Sequence, residues 1–106
     1  MLSSPFSIYR NAMEPLAAQE IERQMQSLPE DIIKSINKGE AIAYALNRLP
    51  PLYATTQEGW HWQHQRAKET LQPLISKAAS WAIRAVQRKP SKFSTPLSAN
   101  STFEVA

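Results

Sequence analysis

Three observations predict an all-α fold of four to five helices. Apolar residues recur at three- and four-residue steps, glycine occurs only twice in 106 residues, and prolines fall at the ends of the periodic stretches. The pattern divides the chain into an N-terminal arm over 1–10, a helical domain over 11–89 and a tail over 90–106. The last helix is long and kinked, and its apolar seam predicts a helical homodimer. The tail, rich in serine and threonine with scattered apolar residues, predicts a disordered segment.

Residues 1–10 read as a loose arm whose large apolar groups are Leu2, Phe6, Ile8 and Tyr9. The first helix begins at Asn11, which offers a cap, with Glu14 three residues later in a capping-box pattern and Pro15 in the first turn. Met13, Leu16, Ala17, Ile21, Met25 and Leu28 form its buried stripe, while Glu20, Glu22 and Arg23 fall off it. Pro29, Glu30 and Asp31 open a short second helix carrying Ile32, Ile33 and Ile36, and Asn37-Lys38-Gly39 closes it. A third helix spans about Glu40 to Arg48, with Ala41, Ile42, Ala45, Leu46 and Leu49 toward the core and Tyr44 at the edge.

The double proline Pro50-Pro51 then stops helical structure. It predicts a stiff elbow that carries Asn47, Arg48, Tyr53, Thr55 and Thr56 at fixed positions. The last helix is expected from about Gly59 to Arg88. Trp60, His64, Ala67, Leu71, Leu74, Ala78, Trp81 or Ala82, and Ala85 follow the spacing of a coiled-coil seam. Pro73 bends or divides it. At 1.5 Å per residue such a helix is about 45 Å long and overhangs a core of this size, hence the expected second copy.

Composition narrows function. The absence of cysteine excludes disulfides and thiolate metal sites and fits a cytoplasmic protein. No apolar run has the length of a membrane span. The net charge of +3 is uneven. Residues 10–58 hold five basic and seven acidic side chains, whereas 61–89 hold six basic ones against Glu69 alone. A basic helix attracts nucleic acid or phosphates, or is simply a solvated face.

Enzymatic chemistry is poorly supplied. His61 and His64 lack a third metal ligand at motif spacing, no glycine-rich phosphate loop exists, and no serine or threonine has a nucleophile context. The expectation is no enzyme, no metal and no cofactor. Binding chemistry is better supplied. Arg10 and Asn11 precede a helix N-terminus, and Asn47 and Arg48 end the third helix. The arginine fork grips phosphate or the guanine edge, and the amide offers donor and acceptor together. Tyr53 can stack on a base, Thr55 adds a hydroxyl, and Arg66 can neutralise a phosphate. Trp60 and Trp81 read as core residues. Arg48 has an alternative in an ion pair with Glu40 or Glu14.

The segments NAMEPLAAQEIERQM and LPEDIIKSINKGEAIAYALNRLPPLYATTQEGW resemble the ComFB-type late competence development family, in its cyanobacterial branch, over about residues 8–89. The N-x-x-E opening at Asn11 and Glu14, and the run through Pro50-Pro51 to Trp60, carry the resemblance. A cysteine cluster found in some members has no counterpart in SLPEDIIKSINKGE. The resemblance implies a small helical homodimer acting as a receptor for a cyclic dinucleotide. Cyclic di-GMP is the first candidate and cyclic di-AMP the second, with a transcription regulator among the partners. Its motif positions here are Arg10, Asn11, Asn47, Arg48, Tyr53 and Thr55. Two other readings remain: a nucleic-acid-binding module using the basic helix, and an adaptor whose seam meets another protein.

Overall fold

The computed structural model describes residues 8–88 together with residues 95, 97 and 98. In chain order it contains β1 (Arg10–Asn11), α1 (Met13–Met25), α2 (Glu30–Ser35), α3 (Lys38–Leu46), β2 (Tyr53–Ala54), α4 (Gln57–Thr70) and α5 (Gln72–Arg88). Five helices therefore dominate, as the periodicity predicts. Most of the arm and most of the expected tail lie outside the described residues. Thr95, Leu97 and Ser98 adopt no regular secondary structure. No helix among the described residues is long and apolar enough to cross a membrane.

The core is built where α1, α3 and α5 meet. Met13, Leu16, Ala17, Ile21 and Met25 of α1 pack with Ala41 and Ala45 of α3 and with Ile75, Ala78, Ala79, Ala82, Ile83 and Val86 of α5. Alanine predominates on the α3 and α5 sides, which lets the three backbones approach closely. Ile36 and Leu49 close the ends of this core. The short α2 buries none of its own residues, and Ile32 and Ile33 lean on the core from outside.

Several boundaries differ from the expected ones for identifiable reasons. Asn37 does not close α2. Its side chain accepts the Glu40 N–H at 3.0 Å and caps α3, which therefore starts at Lys38. The last helix is two helices. Leu71 leaves helical geometry (φ −111°, ψ 5°), and Pro73 becomes the second residue of α5, where a missing N–H costs nothing.

The seam is also re-registered. Buried α5 positions are 75, 78, 79, 82, 83 and 86, a wider stripe than a coiled-coil seam, so Leu74 is left 42% exposed. Ala67, Ala78 and Ala82, offered above as a contact between copies, are buried within one chain.

One element has no helical precedent in the sequence. The arm is not loose at its end, since Arg10 and Asn11 pair antiparallel with Ala54 and Tyr53. A ladder this short is marginal alone. Asn11 reinforces it: its Oδ1 accepts the Leu52 N–H at 2.7 Å and the Met13 N–H at 3.0 Å, and the Ala12 N–H donates to the Leu52 carbonyl at 2.8 Å. Asn11 thus caps α1 from one residue further out than a capping box would, because the N-cap position itself is Ala12. The elbow predicted at Pro50-Pro51 is the chain that brings β2 back to β1.

Candidate ligand-binding clefts

Two openings adjoin the β1–β2 ribbon. Ile8, Arg10 and Ala54 contribute to the first, and Tyr9, Asn11 and Tyr53 to the second. The first cleft, about 590 Å³, is completed by Thr55, Thr56, Gln57, Trp60 and His61 from the start of α4. The second, about 540 Å³, is completed by Glu14 and Pro15 of α1 and again by Trp60. Arg10 and Trp60 line both. Arg10 therefore borders both openings, with Trp60 shared between them, His61 beside the first and Tyr9 and Tyr53 beside the second.

Local sequence explains this arrangement. Thr56 caps α4, its Oγ1 accepting the Gly59 N–H at 2.9 Å. A Cβ on residue 59 would lie 2.9 Å from that oxygen, so glycine keeps the cap tight. Trp60 is held from two sides: its ring stacks on His64 (centroids 4.7 Å apart, 16° between planes) and meets His61 edge-on at 5.3 Å. Burial depresses the His64 pKa, with the charges of Lys68 and His61 adding to the effect, so the stacked imidazole is neutral near pH 7. Tyr9 meets Tyr53 edge to face at 5.9 Å, and both rings are more than half exposed.

Of the expected site residues, Arg10, Asn11, Tyr53 and Thr55 come together here. Asn11 plays a structural part through its carbonyl oxygen, which is taken by two backbone donors. Asn47, Arg48 and Arg66 line neither cleft. Arg48 makes no ion pair with Glu40 or Glu14. Its guanidinium lies 3.5 Å above the Trp81 ring, which in turn stacks on Tyr44. Arg66 leans over Trp62 at 5.1 Å on the exposed face of α4. Asn47 is exposed, and its backbone N–H closes the last turn of α3 on Ala43.

Tyr9, Thr56, Gln57, Trp60 and His61 also line the clefts, although the periodic reading set Trp60 inside the core. For Tyr9 the signal is alternation across Ile8–Asn11, legible only once a partner strand is known; Thr56, Gln57, Trp60 and His61 enter because the start of α4 is set against the ribbon.

The family profile described as late competence development protein ComFB matches residues 10–90. No curated protein matches the chain. The matched span runs from β1 through the end of α5, and so includes the ribbon, the three-helix core and the cleft residues named above other than Ile8 and Tyr9. The chain belongs to the ComFB family.

Proposed function

We propose that the protein is a non-catalytic receptor for a cyclic dinucleotide messenger, held in the two clefts astride Arg10. Cyclic di-GMP is the first ligand to test and cyclic di-AMP the second. The observation that carries this reading is the placement of Arg10, one cation shared by two adjoining openings, each within the roughly 300–1,000 Å³ typical of small-molecule sites. A cyclic dinucleotide has two purines carried on a compact ring of two riboses and two phosphodiesters, so a central cation with aromatic walls on either side matches its order of charge and rings.

In this reading Arg10 binds a phosphate, aided by the hydroxyls of Thr55 and Thr56 and by the free amides at the start of α4. Tyr53 and Trp60 supply stacking faces, each worth roughly 1–3 kcal/mol. The receptor works in the cytoplasm as a homodimer and passes the signal to a protein such as a transcription regulator. The dimer follows from the family resemblance, since the helical seam is spent inside one chain. A contact between copies would use other surfaces.

Isothermal titration with cyclic di-GMP, with GTP as control, tests this reading. Saturable heat at micromolar protein supports it, and no heat with either cyclic dinucleotide sinks it. Sedimentation of the same sample tests the dimer.

A further inference from the structure

The second cleft contains a feature at odds with a plain anion site. Glu14, exposed in the first turn of α1, places a carboxylate in the same opening as Arg10, Tyr9 and Tyr53. It has no ion-pair partner among the described residues, where the ion pairs are Arg23–Glu20 and Lys38–Glu22. It does not reach back to cap α1 either, since Asn11 performs that role. A carboxylate accepts hydrogen bonds and donates none. In a cleft meant only for phosphate it would repel the ligand, so it calls for a ligand group rich in donors.

Guanine is such a group. Its Watson–Crick edge presents the N1–H and the exocyclic N2 amine side by side, two donors for two carboxylate oxygens. Adenine presents one amine beside the N1 lone pair, which would face the carboxylate and be repelled. We propose that Glu14 reads the guanine edge of a base lodged in the second cleft against Tyr53 and Tyr9, and so makes the site select guanine over adenine. The phosphates then sit at Arg10 on the side of the first cleft, where no acidic side chain lines the opening among the described residues. This inference rests on the cyclic dinucleotide reading above and adds its base preference.

The alternative role for Glu14 is to complement the positive end of α1, worth a few tenths of a kcal/mol to about 1 kcal/mol and blind to the ligand. Glutamine separates the two roles. A glutamine at 14 offers one acceptor and one donor, the pattern that fits adenine rather than guanine. A site built on hydrogen bonds to one base rejects the analogue that cannot make them far more strongly than a hydrophobic pocket would.

The experiment is calorimetric titration of the wild-type protein, Glu14→Gln and Glu14→Ala with cyclic di-GMP and with cyclic di-AMP, alongside thermal melts. The wild type is expected to favour cyclic di-GMP at least tenfold. Glu14→Ala should lose most of that preference, and Glu14→Gln should lose it and gain affinity for cyclic di-AMP. An unchanged ratio in Glu14→Gln, with binding intact, would overturn the proposal and leave only the helix-end role. A wild type that favours cyclic di-AMP would also overturn it. A wild type that binds neither nucleotide defeats the receptor reading itself, which is a different result from an unchanged ratio.

Discussion

Asn11 illustrates how a residue read for ligand chemistry can also carry a structural task. An amide beside an arginine suggests ligand recognition, yet its Oδ1 accepts from Met13 and Leu52 and so ties α1 to the chain after the elbow. Removing a partly buried acceptor strands two donors, so Asn11→Ala should lower stability by about 1–3 kcal/mol. Asn11→Asp keeps the oxygen and should cost less, which thermal melts of both variants would check.

Glu20 is the converse case. Helical spacing puts it off the apolar stripe, yet it is 4% exposed. Arg23 donates to both carboxylate oxygens, and Gln24 donates to Glu20 and also to the Ser76 carbonyl on α5 at 2.9 Å. That long-range partner, 52 residues away, is invisible to any local pattern. The hydrogen bond from Arg23 holds the Glu20 pKa at about 2, below the ordinary 4.5. The folded state thus binds its proton less readily than the unfolded chain, so the contribution is full above pH 4.5 and fades as pH falls toward about 2. Glu20→Gln should flatten the acid limb of the stability profile at a cost on the order of 1–2 kcal/mol, the exposure of Arg23 limiting the figure.

At the scale of elements, helix identity was legible and helix register was not. In α5, positions 74, 75, 78, 79, 81, 82, 83, 85 and 86 are all apolar, so two neighbouring stripes fit the spacing equally well. Packing against α1 and α3 selects the stripe centred on Ile75, Ala79 and Ala82, each fully buried. Ile75→Ala should therefore cost about 2–5 kcal/mol, whereas Leu74→Ala on the exposed side should stay within about 0.5 kcal/mol. The opposite order in chemical denaturation would restore the coiled-coil register. The division between α4 and α5 follows from where Pro73 falls: two residues past the break at Leu71 and in the first turn of α5, it starts a helix more readily than it bends one. Asn37 teaches a related point, because an αL-tolerant residue between helices can cap the next as readily as it ends the last.

For the whole molecule, the all-helical class and the elbow could be read from the sequence because both rest on local signals, periodicity and proline. The ribbon could not. It joins residues 10–11 to residues 53–54 through two-residue strands too short to show alternation. The clefts inherit that difficulty, since Trp60 and His61 become cleft walls only when α4 is set against the ribbon. The elbow therefore separates residues that lie close in sequence. Tyr53 and Thr55 go to the clefts, while Arg48 stays behind in the turn after α3, its guanidinium over the Trp81 ring. The charge asymmetry survives folding as well: α5 carries no acidic residue, and its cations Lys77 and Arg84 stay exposed. The cation that matters most to the proposed site nevertheless lies at the other end of the sequence.

The most direct test of the central claim is a side-by-side calorimetric titration of cyclic di-GMP into the wild-type protein and Arg10→Ala. Arg10 is exposed and makes no ion pair among the described residues, so the melting temperature should be nearly unchanged. Affinity should fall at least tenfold, about 1.4 kcal/mol or more. Equal affinity in the two proteins, with both folded, would contradict a site built around Arg10.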